Sequence, residues 1–191
     1  MVASVQDKPR KHRLTVSDYH RMGEVGILAR GERVELIGGE IIDMSPIGSR
    51  HSAAVNRLVR ILDRAVGESA IVSAQNPLIL DDDTEPQPDI ALLMPREDFY
   101  AARHPRPEDV LLIVEVADTS LTYDRTVKIP LYGRHGIPEV WLFDVEKGTF
   151  WRFAGPVDGV YTEEISEERL GVLALHALPK IKVDLTVMAL T

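Results

Sequence analysis

The chain has 191 residues, 45% of them apolar, a formal charge of -8 and no cysteine. That length and composition suit one globular domain with its own core, and they exclude disulfides, thiolate metal sites and a cysteine nucleophile. Its apolar runs fall far short of the roughly 20 residues that cross a bilayer, and the N-terminus lacks the apolar stretch of a secretory signal, so a cytoplasmic protein is expected. The negative balance speaks against a protein that coats nucleic acid, but leaves a nuclease open, since metal-binding acids contribute charge that a cation offsets.

Residues 1–13, with the basic run KPRKHR, read as a flexible leader, and 14–191 as one domain. LTVSDYHRM predicts a short helix capped near Thr15 or Ser17. In RVELIGGEIIDMS two β-type runs flank Gly38-Gly39, a pair able to take the positive φ angles of a tight hairpin. From Ser49 to Val66, Val55, Leu58, Val59, Leu62 and Val66 follow a 3.6-residue period, which predicts an amphipathic helix closed by Gly67. Strands are expected at 70–75, 77–80 and 89–94, with DDDTEPQP as an exposed turn and a short helix at 96–103. The apolar run VLLIVEVA at 110–117 predicts a central strand, followed by a helix over about 120–135. EVWLFDV, the turn EKG and TFWRF form a hairpin, and residues 160–191 add strands around a Pro179 turn. Strands interleaved with helices point to an α/β fold, a mixed central sheet flanked by helices, with additional β-hairpins.

Glu115 interrupts the most apolar of these strands. An unpaired carboxylate there would cost several kcal/mol, so it requires a compensating partner. Asp89 heads another apolar strand, and cross-strand pairing would bring the two carboxylates about 5 Å apart, close enough to share a divalent cation. An arginine beside Glu115, with Asp89 serving only as a strand cap, is the competing arrangement. Asp124 and Lys128 lie four residues apart, either as a surface ion pair or with the ammonium turned towards the carboxylates.

Taken together, VELIGGEIIDMSPIGSRHSAAVNRL, QPDIALL, LLIVEVADTSLTYDRTVKIPLYGRHGIPEVWLFDVEKG and LPKIKVDL resemble, in order and spacing, the Uma-type restriction endonuclease family of the PD-(D/E)xK phosphodiesterases. The resemblance spans about residues 14–190. It implies a restriction-endonuclease-like core, a Mg2+ or Mn2+ cofactor and hydrolysis of phosphodiester bonds, with DNA as substrate and a homodimer by analogy. Position by position, Asp89 and Glu115 match the metal-binding acids. Ala117 occupies the place of the superfamily lysine, and Lys128 in the next helix matches a relocated one. Glu35 matches an early acidic position, with His51 and Asp124 in supporting places. Pro130, two residues beyond Lys128, should kink the helix or delay its start. Trp141 and Trp151 are available either for the core or for a dimer contact. The alternative function is a catalytically inactive module that binds nucleic acid or protein on the same fold.

Overall fold

A computed structural model describes residues 11–167 and 170–189, the side chains of 167 and 189 excepted. Its frame is a six-stranded sheet in the order β3-β4-β5-β6-β7-β8. The strands are β3 (Ile71–Ala74), β4 (Ile90–Leu93), β5 (Val110–Ala117), β6 (Glu139–Asp144), β7 (Thr149–Val157) and β8 (Val160–Glu167). Only β5 and β6 pair in parallel, in the register Glu115↔Leu142; the other neighbours are antiparallel. The run 110–117 thus sits inside the sheet, as its continuous apolar character predicts.

The two faces of β5 feed two cores. Leu112, Val114 and Val116 pack beneath α2 (Ser49–Val66), together with Trp141, Phe143 and Phe150. Ile113 and Ala117 face the opposite way, against α4 (Ile129–Arg134) through Leu131 and Tyr132. Glu115 shares the second face by the two-residue alternation of a strand. Its side of the sheet is apolar towards one end and polar towards the other.

Outside the sheet, α1 (Val16–Glu24) starts at Thr15 in a reciprocal capping box with Asp18. β1 (Val34–Ile37) and β2 (Glu40–Asp43) form the expected hairpin, with φ of 55° at Gly38 and 74° at Gly39. At Gly39 the backbone of Leu14 passes so closely that an added Cβ would lie 3.0 Å from its nitrogen. The described end of the leader is also tied here, Arg13 Nη1 donating to Gly38 O. A second hairpin, β9 (Val172–Ala174) with β10 (Lys182–Asp184), covers the α2 face.

Several expectations are corrected. Residues 77–80 form no ladder strand: Leu78 N bonds Pro86 O, Ile79 N bonds Pro105 O and Leu80 N bonds Thr84 O, so the apolar run packs as loop. The segment 96–103 is a series of turns, with positive φ at Phe99 and Tyr100 that a helix does not permit. DDDTEPQP is exposed only in its first half; Glu85 exchanges two backbone hydrogen bonds with Leu36, which buries Thr84 and Glu85 against β1. Trp141 is fully buried and so unavailable to a dimer contact. Trp151 is half-covered, with the Arg125 guanidinium 5.1 Å above its ring.

Candidate active site

A cleft opens at the C-terminal end of β5, lined among others by Glu35, His51, Asp89, Glu115, Asp124 and Lys128. Six residues spread over 94 positions of sequence therefore meet in one place. Four elements deliver the first four of them, and the helix after β5 delivers Asp124 and Lys128. Glu35 points in from β1, Asp89 directly precedes β4, Glu115 belongs to β5, and His51 lies in the first turn of α2.

The register Ile90↔Val114 continues to set Asp89 beside Glu115, and Asp89 Oδ2 accepts the Val116 N–H at 2.9 Å. That bond anchors one carboxylate oxygen on the neighbouring strand. Asp89 Oδ1 stands 2.8 Å from His51 Nε2, an ion-pair contact in which the ring N–H is not aligned on the oxygen. Asp89 holds the imidazole pKa above its ordinary value, against the opposing effect of burial.

Lys128 arrives by an irregular helix. After Ser120 the chain forms α3 (Leu121–Tyr123), a π turn over Asp124–Lys128 and then α4, with Ile129 N donating to Asp124 O across five residues. Pro130 follows directly, and its missing N–H removes the donor that a regular α-helix would use there. The helix neither breaks nor starts late. It widens by one residue, a common device at functional sites.

This turn buries Lys128 with Nζ 3.2 Å from Glu35 Oε2 and 3.3 Å from Glu115 Oε1. The ammonium partners Glu35 and Glu115, and the i,i+4 surface pair with Asp124 is not formed. Asp124 is itself buried, and its Oδ2 accepts the Ser120 hydroxyl. Glu35 Oε2 also accepts the Gln87 N–H at 3.2 Å. Sequence reasoning overlooks Tyr132, whose hydroxyl donates to Glu115 Oε1 at 2.5 Å. Its signal was the i,i+4 spacing from Lys128, masked by the apolar context that makes a buried tyrosine look like packing.

The charges do not balance. Glu35, Asp89, Glu115 and Asp124 are all buried, against one lysine and one histidine. Burial pushes the Glu115 carboxyl up to about 8; the Lys128 ammonium opposes this, while Asp124 and Asp89 reinforce it. Burial likewise raises Asp124. Lys128 is desolvated too, yet Glu115, Glu35, Asp124 and Asp89 together hold its pKa above normal, so it stays protonated.

Among the described residues no three histidine, aspartate or glutamate side chains form a ready-made metal cage. The donors present do fit a hard divalent ion: two carboxylates, Asp89 and Glu115, face one cleft with an excess of negative charge around them. Magnesium is usually held by one or two carboxylates and completes its shell with water and phosphate oxygens.

Comparison with known proteins agrees with this architecture. A family described as "Putative restriction endonuclease", Uma2, matches residues 16–188. The chain belongs to the Uma2 family. Among solved structures, a "putative nuclease belonging to DUF820" from Anabaena variabilis ATCC 29413 superposes with a TM-score of 0.71 at 16% identity, over 92% of this chain and 97% of that one. At that identity the likeness establishes the fold, which the Uma2 chain shares almost end to end. No curated protein matches it. Within the Uma2 chain, the place two residues after Glu115 is a buried alanine, and the ammonium near Glu115 comes from the following helix instead.

Proposed function

We propose that this Uma2 protein is a divalent-metal-dependent endonuclease that hydrolyses phosphodiester bonds in DNA. The observation that carries the reading is the Lys128 ammonium, delivered by the π turn to within 3.3 Å of Glu115 although the strand offers only Ala117. A buried acid cluster with one captive lysine at the mouth of a cleft is expensive to maintain for stability alone, and such clusters concentrate at functional sites.

In this reading Asp89 and Glu115 hold the cation, which when bound supplies positive charge to acidify a water and to offset the phosphate. Lys128 acts as a donor and not as a base, because its surrounding carboxylates keep it protonated. It orients the attacking water and stabilises negative charge building on the phosphate oxygens. Glu35 holds the ammonium from the far side. The water gives up one proton to bulk solvent as its oxygen bonds to phosphorus, the bond to the departing sugar oxygen breaks, and that oxygen takes up a proton from solvent. His51 fixes Asp89 and, when protonated, presents a second positive charge beside it.

Purified protein given Mg2+ or Mn2+ is expected to convert supercoiled plasmid to nicked and linear forms. Asp89→Ala and Glu115→Ala should abolish this. Equal cutting by both variants would place the activity elsewhere, and RNA and a chromogenic phosphodiester assayed in parallel separate DNA hydrolysis from its nearest alternatives.

A further inference from the structure

The outer face of α2 carries Arg50, Arg57, Arg60 and Arg64. At 100° per residue these four fall within an arc of about 80°, on the side turned away from the buried Val55, Leu58 and Leu62. Asp63 is the sole acid of the helix and projects elsewhere. In a chain of charge -8 this is an unusual concentration of one sign.

Pairing does not explain it. Arg50 contacts Asp118 at 3.2 Å, and Arg57 Nη1 donates to Val187 O at 3.3 Å. Among the described residues Arg60 and Arg64, both exposed, have neither a hydrogen-bond nor an ion-pair partner. Arg57, Arg60 and Arg64 line a shallow cleft with Ile61 and Val187, and the unpartnered guanidinium groups of Arg60 and Arg64 are open to an anion there.

The stripe also begins at the candidate active site. His51, next to Arg50, touches Asp89, and Asp118, the partner of Arg50, lines the same cleft as Glu115. From Arg50 to Arg64 the helix advances about 21 Å, which matches roughly six phosphates of one strand of a duplex at about 3.4 Å of axial rise each.

We propose that the arginine face of α2 is the track on which the sugar-phosphate backbone of duplex DNA lies, leading one strand to the Asp89–Glu115 cleft. The ligand class rests on the nuclease reading, whereas the surface does not need catalysis. Arginine suits the task because its planar fork donates in pairs to phosphate and remains charged throughout the accessible pH range.

The test is fluorescence anisotropy of a labelled 20-base-pair duplex with the full protein in EDTA, over a salt series. Wild type should bind with a steep salt dependence. The triple variant Arg57→Gln, Arg60→Gln, Arg64→Gln should weaken binding by about tenfold or more and reduce the log–log salt slope by roughly 2 to 3, since each phosphate contact contributes about 0.9. A control with the same charge loss elsewhere, Lys11→Gln, Arg21→Gln, Arg134→Gln, should keep the wild-type slope. Absence of duplex binding by wild type, an unchanged slope in the stripe variant, an equal loss in the control, or binding to anionic phospholipid vesicles in place of duplex would each overturn the proposal. Loss of cleavage with the binding pattern intact would instead count against the catalytic reading alone.

Discussion

The Tyr132 hydroxyl and the Lys128 ammonium converge on one oxygen of Glu115, at 2.5 and 3.3 Å from Oε1. Glu115 Oε2 accepts no hydrogen bond among the described residues. The carboxylate is therefore gripped at one oxygen and free at the other, the arrangement a ligand on a rigid strand needs if it is to present a single lone-pair set to the cleft.

Removing half of that grip should be measurable. Tyr132→Phe deletes a buried hydrogen bond to the Glu115 carboxyl, leaving a buried acceptor short of a donor, and should lower stability by about 1 to 3 kcal/mol, read as a shifted midpoint in urea at constant m-value. Plasmid nicking should fall as well. A wild-type midpoint in this variant would show that the phenol is only packing.

Lys128→Met retains the volume but leaves Glu35 and Glu115 buried without their counter-charge. Breaking a buried pair on one side costs about 3 to 5 kcal/mol. The loss should be smaller at pH 6 than at pH 8, because Glu115 can escape by taking up a proton. Denaturation of the variant at both pH values tests the size and the trend together.

The pH dependence of the wild type follows from the raised Glu115 pKa. Unfolded, the carboxyl titrates at its ordinary 4.5; folded, at about 8. Between these values the folded state binds the additional proton, so stability in EDTA should decline as pH rises through that interval. A divalent cation competes for the same carboxylate, and thermal stabilisation by Mg2+ should be larger at pH 8 than at pH 6. Glu115→Gln should flatten both dependences.

For His51 the neighbouring carboxylate raises the imidazole pKa above 6.5. Its contribution to stability is then complete below that value and disappears as pH rises through the folded pKa. The His51 ring resonances in an NMR titration should move at a pH above the ordinary histidine value, and Asp89→Asn should bring the transition down. A titration unaffected by Asp89→Asn would mean that the two side chains are not coupled.

Much of this frame was legible in the chain. Gly38-Gly39 announces its hairpin because only glycine readily takes two successive positive φ angles, and the α2 period and the β5 run each reflect a face buried over its whole length. Asp89 and Glu115 stand out because carboxylates on apolar strands require compensation. The failures are equally physical. Leu78 and Leu80 are buried by loop contacts that leave the same apolar signature as a strand. The π turn depends on a five-residue hydrogen bond that no side-chain period reveals, although Pro130 marked the place where regular helix had to yield. Tyr132 joins the site only because the helix folds back over β5, a tertiary fact.

β5 and β6 run parallel, so the chain between Ala117 and Glu139 must travel back along the length of the strand before it can pair again. Lys128 rides on this return path, and the path's length is thereby constrained twice, by strand connectivity and by the reach of one ammonium group to Glu35 and Glu115. Insertions or deletions that a surface connection would absorb would here shift Lys128 away from its two carboxylates, which leaves residues 118–138 little freedom to drift in length.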